Sequence, residues 1–149
     1  MNEHLPPARP HHKLTDDGKR MREVLSYSRR GSRLTPKRQD AWDAYADRWV
    51  IPDEVVDQPG FSLAEWFGRE APLIIEIGPG VGEATGVLAA ARPEANVLAL
   101  EVWKPGVAAG LDEVAKAGAE NVRFCSVDAA WVMEHVVGAG ELAELWTFF

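Results

Sequence analysis

The chain has 149 residues, of which 46% are apolar, and a formal net charge of −7. This length and apolar content suffice for about one globular domain with a buried core. No segment reaches the roughly 18 consecutive apolar residues of a membrane span, and the N-terminus lacks a secretory signal pattern. These features exclude a membrane partner and predict a cytoplasmic protein, in which the single cysteine, Cys125, is a buried core thiol.

The charge is divided unevenly along the chain. Residues 1–40 contain ten Lys and Arg against five Asp and Glu, whereas residues 41–149 contain six against eighteen. A basic arm on an acidic body can bind a polyanion or can simply be solvated, and charge alone does not decide between the two. Residues 1–25 combine prolines and mixed charges without apolar periodicity and are predicted to be a disordered basic tail. No metal site is expected, because His11 and His12 match no common ligand spacing.

Residues 26–70 are predicted to form an N-terminal helical extension. Thr35 and Pro36 provide an N-cap and a favourable first helical residue. The aromatic stripe that follows has helical spacing and is predicted to pack against the core rather than against nucleic acid bases. Its members are Trp42, Tyr45, Ala46 and Trp49. A second helix is predicted in "FSLAEWFGRE", where Ser62 and Glu65 form a capping box and Gly68 ends the helix.

An arginine-rich segment, "SYSRRGSR", directly precedes the first predicted helix. Arg29, Arg30 and Arg33 lie in a stretch with no apolar pattern, where guanidinium groups could reach phosphates bidentately. These three arginines are the candidate residues for binding RNA.

From residue 71 onward, apolar strands alternate with helical patterns. Strands are predicted at 73–77, 97–101, in "NVRFCSV" and in "ELWTFF", and helices at 83–91, from Pro105 to Gly118, and in "AAWVMEHVV". This alternation is typical of a parallel sheet covered by helices. The predicted fold class is therefore α/β.

A glycine loop, "EIGPGVG", follows the first predicted strand directly. Gly78, Gly80 and Gly82 allow a sharp turn and let a ligand lie against bare backbone. A dinucleotide fingerprint would require glycine or alanine at position 83, where this chain has Glu83. An acid beside a helix N-terminus also disfavours a pyrophosphate there. The spacing therefore argues against NAD or FAD.

Three acids lie at or near the ends of three predicted strands of the same sheet. Glu76, Glu101 and Asp128 should meet at the carboxyl edge, where open parallel sheets bind their ligands. Acids suit a ligand with a cationic centre, a ribose diol and an amino group, and would repel one rich in phosphates. We expect Glu101 to accept from the diol, Glu76 to attract the cationic end and Asp128 to accept from an adenine amino group. The ligand so described is S-adenosylmethionine.

Three blocks resemble bacterial tRNA (guanine-N7-)-methyltransferases. "SYSRRGSRLTPKRQDAW" is similar to the arginine-rich N-terminal segment of that family, "LIIEIGPGVGEAT" to its glycine loop, and "LALEVWKPGVAAGL" to its second strand and following helix. "NVRFCSVDAAWV" and "LWTFF" resemble its third and fourth strands, so the likeness covers about residues 26–149. The glycine loop is common to methyltransferases, whereas the arginine segment and "EVWKPGV" are more specific to this family.

The resemblance implies a class I S-adenosylmethionine-dependent methyltransferase fold, which is Rossmann-like, with residues 71–149 forming only the N-terminal part of its sheet, strands 1 to 4. It implies transfer of a methyl group from S-adenosylmethionine to N7 of a guanine in the tRNA variable loop. Glu76, Glu101 and Asp128 would be the cofactor-binding acids, together with the loop glycines.

One feature of the family is missing from the sequence. The family's fourth strand continues into Pro-Asp-Pro-Trp and a cluster of Lys, Arg and His, to which the resemblance assigns catalysis and tRNA binding. Since this sequence stops at Phe149, no catalytic residue is assigned in it. We expect a fragment or truncated product with little or no activity alone, in which Trp146, Phe148 and Phe149 lack their usual partners.

Two other functions remain open from the sequence. The chain could be a non-catalytic module that binds S-adenosylmethionine or RNA. A nicotinamide oxidoreductase is disfavoured by Glu83 and by the lack of a well-placed catalytic His or Tyr. The sequence does not predict an oligomeric state.

Overall fold

The computed structural model describes residues 32–148. The predicted tail at residues 1–25, Arg29, Arg30 and Phe149 lie outside this range. The helices are α1 (Pro36–Trp49), α2 (Asp53–Val56), α3 (Leu63–Phe67), α4 (Glu83–Ala91), α5 (Lys104–Ala117) and α6 (Ala129–His135), and the strands are β1 (Leu73–Ile77), β2 (Asn96–Leu100), β3 (Val122–Cys125) and β4 (Leu142–Thr147). Within residues 32–148, no helix is both long and apolar enough to cross a membrane.

The four strands form one parallel sheet in the order β3-β2-β1-β4. The chain first moves outward from β1 to β3 and then returns to place β4 on the other side of β1. In open α/β sheets such a reversal opens a crevice beyond the carboxyl ends of the strands. The predicted α/β class with a parallel sheet is thus confirmed, and the reversal lies next to β1, from which the glycine loop emerges.

Helices cover both faces of the sheet, as parallel sheets require. Strand residues alternate between two apolar clusters, with Ile74 and Phe124 on one face and Ile75 and Leu98 on the other. The first face packs against α1, α4 and α5, and the second against α2, α3 and α6. Cys125 belongs to the second cluster and is buried, as predicted.

Helix α1, in the predicted N-terminal extension, packs against the sheet. Its Thr35 cap accepts a hydrogen bond from the backbone N–H of Arg38 at 3.4 Å, and Pro36 is its first residue, as predicted. Trp49 is only 3% exposed, and the other stripe residues pack beside it, so the aromatic stripe is core. Just after α1, the Ile51 N–H donates to the Phe124 carbonyl at 2.9 Å, which fastens the helix to the β3 edge.

Several boundaries differ from the sequence prediction. Helix α2 was not predicted, because its four residues are too few to show a helical period. Strand β2 ends at Leu100, so Glu101 begins the following turn, and β4 starts two residues earlier than predicted. The Ser62 hydroxyl caps α3 by accepting from the Glu65 N–H, and Gly68 ends α3 in the left-handed conformation, both as predicted.

Strand β4 lies at an edge of the described sheet. Leu145 and Phe148 are exposed, in line with the expectation that this strand lacks cover. For Trp146 the expectation was wrong: its ring packs partly against the first cluster, and its Nε1–H donates to Glu144 at 3.1 Å. In the register with β1, Trp146 lies opposite Glu76.

Candidate functional site

The glycine loop after β1 contains two kinds of glycine. Gly78, Gly80 and Gly82 all have positive φ, at 66°, 62° and 76°. A Cβ on Gly78 or Gly80 would meet no neighbouring heavy atom within 4 Å, whereas one on Gly82 would lie 2.6 Å from the Gly110 Cα. The first two glycines therefore face open space that a ligand could occupy, and the third allows the loop to pack closely on α5.

Glu101 is tied directly to the glycine loop. Its Oε2 accepts a hydrogen bond from the Gly80 N–H at 3.1 Å, and its Oε1 accepts from the Trp103 N–H at 2.9 Å. Each carboxylate oxygen can accept a second bond. The half-buried carboxylate is thus fixed in orientation by two backbone donors and retains acceptor capacity on both oxygens.

The turn between β2 and α5 is packed around a further glycine that the sequence analysis did not single out. A Cβ on Gly106 would lie 2.6 Å from the Gly80 carbonyl oxygen and 2.9 Å from Cε3 of the Trp103 ring. The available signal was a glycine in the first turn of a helix, where its intrinsic propensity is poor. Gly106 therefore allows the start of α5 to lie directly against the glycine loop.

Glu76 is the most deeply buried of the predicted acids, at 2% exposure. The Thr85 hydroxyl, on α4, donates to its Oε2 at 2.6 Å. Burial raises the pKa of Glu76 above its ordinary value of 4.5, and the Thr85 hydrogen bond partly opposes that rise. A buried carboxylate with a raised pKa gains from a nearby cation, because the cation favours the ionised form. The sequence analysis missed Thr85, whose contact with Glu76 depends on how α4 packs.

Asp128 lies three residues beyond β3 and caps α6. Its Oδ2 accepts from the Trp131 N–H at 3.1 Å. Because β3 pairs with β2, with Cys125 opposite Leu100, Asp128 lies at the same edge of the sheet as Glu101. The strand pairing thus places Asp128 and Glu101 at one edge of the sheet, and the convergence of all three acids on one ligand stays a prediction. Side-chain hydrogen bonds join Glu101 to the glycine loop, Glu76 to α4 and Asp128 to α6.

Only one of the three candidate RNA-binding arginines lies in the described range. Arg33 is exposed and precedes α1. Within α1 and at the start of α5, two cations lie over indole rings: the Arg38 guanidinium carbon lies 5.4 Å from the Trp103 ring centroid, and the Lys104 Nζ lies 4.4 Å from that of Trp42. The sequence analysis did not assign Arg38 or Lys104, because both contacts join α1 to the start of α5 across more than 60 residues.

Comparison with known proteins shows similarity to methyltransferases. A family model described as "Putative methyltransferase" matches residues 70–149. A tRNA (guanine-N(7)-)-methyltransferase of a Nocardioides species is 63% identical over the whole chain. Proteins of the same name from Paenarthrobacter aurescens and Nocardia farcinica are 39% and 42% identical over 84% and 85% of the chain.

The chain is shorter than these curated relatives. It spans 62% of the Nocardioides protein, 44% of the Paenarthrobacter protein and 46% of the Nocardia protein. The family model covers more than half of the chain and includes the glycine loop and all three acids. The chain therefore belongs to this methyltransferase family.

Proposed function

We propose that the chain forms the S-adenosylmethionine-binding part of a tRNA (guanine-N7-)-methyltransferase, an enzyme that transfers a methyl group to N7 of a guanine in the tRNA variable loop. The observation that carries the proposal is the Glu101 carboxylate, held at the mouth of the glycine loop by the N–H groups of Gly80 and Trp103. The names of the relatives support the reaction and its tRNA substrate.

The shape and the charge of the site fit S-adenosylmethionine. The open space over Gly78 and Gly80 leaves the backbone accessible to a flat or extended ligand. The acids at the carboxyl edge favour a cationic ligand with hydroxyl and amino donors, and they disfavour a polyphosphate. Glu83 at the first position of α4 adds a further negative charge where a phosphate would otherwise bind.

Each acid has a role that matches its surroundings. Glu101 would accept hydrogen bonds from the two ribose hydroxyls, because both of its oxygens have spare capacity and a fixed direction. Glu76 would favour the cationic methionine end through charge, since its burial makes the attraction stronger than it would be in water. Asp128 would accept from the adenine amino group. Gly78 and Gly80 would line the ligand, and Gly82 would hold the loop against α5.

The bound donor supplies an electrophilic methyl group on a sulfonium. Guanine N7 has an available lone pair, so the transfer needs little general-base assistance and depends mainly on alignment. In this proposal the residues of this chain fix and orient the donor, and its acidic edge stabilises the donor's positive charge in the ground state. In this proposal the acceptor guanine is positioned by other parts of the enzyme.

The proposal also covers the remaining parts of the chain. Residues 26–70 would carry the arginine segment, in which Arg29, Arg30 and Arg33 bind tRNA phosphates, and residues 71–149 would be the N-terminal portion of the methyltransferase domain, preceded by a tail at 1–25. A tRNA-modifying role would place the protein in the cytoplasm.

A chimaera tests the proposal directly. The segment of the Nocardioides enzyme that aligns with this chain would be replaced by the 149 residues of this chain. We expect the chimaera to methylate an unmodified tRNA transcript at guanine N7, mapped by chemical cleavage at the modified base. Glu101→Gln within the chimaera should greatly reduce methylation and donor affinity together, since it removes charge at the diol-binding position.

Lys116→Gln provides the matched control, because Lys116 pairs with Asp112 and Glu113 at the far end of α5. A folded chimaera that binds S-adenosylmethionine but methylates no tRNA would favour the alternative of a non-catalytic binding module. A folded chimaera that binds no S-adenosylmethionine would overturn the proposal.

A further inference from the structure

The lysines and arginines of residues 32–148 fall into three groups according to their partners. Arg48, Arg92 and Lys116 form ion pairs with carboxylates, and Arg69 and Arg123 donate to backbone carbonyls. The remaining four have no carboxylate partner among the described residues. They are Arg33, Lys37, Arg38 and Lys104.

Two of these cations, Arg38 and Lys104, are brought to the same side of the α1–α5 contact by their indole partners, and Arg33 and Lys37 lie close to Arg38 in the sequence. Three of the four belong to the start of α1 or directly precede it, and Lys104 is the first residue of α5, which packs against α1. We call Arg33, Lys37, Arg38, Lys104 and the rings of Trp42 and Trp103 the α1–α5 basic surface. Asp43, on the same helix, accepts a hydrogen bond from the Gln39 amide at 2.8 Å.

The indole rings hold two of these cations in place without using their hydrogen-bond donors. Arg38 lies over Trp103 and Lys104 over Trp42, both within the roughly 6 Å of a cation–π contact. A cation held in this way loses less side-chain freedom when it binds an anion, and its N–H groups stay available. This arrangement suits phosphate groups at defined positions.

Trp103 joins the α1–α5 basic surface to the proposed S-adenosylmethionine site, here called the donor site. The Trp103 ring supports Arg38, while the Trp103 backbone N–H donates to Glu101 at 2.9 Å. The same ring packs against Gly106, which in turn touches the Gly80 carbonyl. An anion chain bound to this surface would therefore run along the rim of the donor site.

We infer that the α1–α5 basic surface, and in particular Arg38 and Lys104, binds the tRNA phosphate backbone and brings the RNA to the donor site. This inference rests on the proposed function and adds residues to it. The rest of residues 32–148 is strongly acidic, so an RNA is repelled except where unpaired cations cluster. A membrane fits less well, because the exposed large apolar side chains of the described part, Val81, Val87, Leu145 and Phe148, lie on neither α1 nor the start of α5.

The test compares Arg38→Gln, Lys104→Gln and the double variant of the 149-residue chain. Binding of an unmodified tRNA transcript is measured by fluorescence anisotropy across a range of salt concentrations. We expect each single change to weaken binding several-fold and to lower the slope of log affinity against log salt by about 0.7–0.9 per lost phosphate contact. The double variant should show both losses together, and Arg38→Lys should restore part of the slope.

Lys116→Gln is the matched control on α5 and should leave the slope unchanged, because its partners are acidic. Calorimetric affinity for S-adenosylmethionine and the thermal midpoint should stay near wild type in the two single variants. If the double variant binds tRNA with unchanged affinity and slope, or if the folded wild-type chain binds no tRNA, the inference is wrong.

Binding to lipid vesicles and binding of S-adenosylmethionine show which part of the inference fails. If the charge changes reduce binding to vesicles of phosphatidylserine and phosphatidylcholine but not to tRNA, the surface serves a membrane and the inference is overturned. If donor binding fails in the wild type as well, the proposed function fails too. If the chain binds S-adenosylmethionine but the variants bind tRNA as the wild type does, only the role of this surface is overturned.

Discussion

Alanine substitution of two neighbouring loop glycines should separate ligand binding from packing. Gly80 and Gly82 have similar positive φ values, 62° and 76°, so each substitution carries the same backbone penalty of about 1–2 kcal/mol. At Gly80 the new Cβ enters open space, whereas at Gly82 it lies 2.6 Å from the Gly110 Cα, which is backbone and cannot move aside easily. Overpacking of this kind adds about 1–3 kcal/mol.

We therefore expect Gly80→Ala to lower the free energy of unfolding by about 1–2 kcal/mol and Gly82→Ala by about 2–5 kcal/mol. The affinity for S-adenosylmethionine should instead fall more in Gly80→Ala than in Gly82→Ala. Gly80→Ala should weaken it about tenfold or more, equivalent to about 1.4 kcal/mol, because the methyl group occupies space proposed for the donor. The assays are urea denaturation and isothermal titration calorimetry, the latter at a temperature where both variants are folded.

Gly110→Ala provides a control on the other side of the contact. Its Cβ would lie 2.8 Å from the Phe124 ring, in a helix with ordinary φ, so it should reduce stability without changing donor affinity. Equal loss of stability in Gly80→Ala and Gly82→Ala would contradict the packing argument. Wild-type donor affinity in Gly80→Ala would contradict the placement of the donor over this loop.

Other predictions concern the buried polar groups. The pKa of Glu76 is raised in the folded state, so on raising the pH the folded chain retains this proton longer than the unfolded chain does. Stability should therefore fall as the pH rises from about 4.5 through the raised pKa. Thermal midpoints measured against pH should show this fall in the wild type and lack it in Glu76→Gln. Affinity for the cationic donor should instead rise over the same pH window in the wild type and should be weaker and less pH-dependent in Glu76→Gln, as followed by calorimetry. Thr85→Val removes the bond that lowers this pKa and should move the binding transition to higher pH, and a transition that stays in place would show that the hydroxyl does not tune Glu76. Asn121 lies at the amino end of β3, and its amide nitrogen lies within 3.1 Å of three backbone carbonyls. Asn121→Ala should lower the free energy of unfolding in urea by about 1–3 kcal/mol and leave the affinity for S-adenosylmethionine unchanged.

Local patterns sufficed for most elements of the fold. β1 and α4 have the predicted bounds, and the capping residues of α1 and α3 act as their sequence indicated. Such signals depend on residues within a few positions of one another, so a single sequence contains them. The parallel sheet covered by helices also followed from the alternation of strands and helices, whereas its strand order was not predicted.

Contacts between distant elements could not be predicted in the same way. Gly82 has the same loop context as Gly80, and only the approach of α5 distinguishes a packing glycine from one that faces open space. Likewise, the hydrogen bond from Thr85 to Glu76 and the stacking of Arg38 on Trp103 depend on helix placement in three dimensions. The assignment of Glu76, Glu101 and Asp128 to cofactor binding stays a prediction from the sequence, and the structure adds the groups that contact their side chains.

Calorimetric titration of S-adenosylmethionine into the folded 149-residue chain, with Glu101→Gln and Lys116→Gln beside it, tests the central claim most directly. The account predicts saturable binding to the wild type and to Lys116→Gln, and a loss of about tenfold or more in Glu101→Gln, where the carboxylate charge is removed. No heat of binding to the folded wild type, or equal affinity in Glu101→Gln, would contradict it.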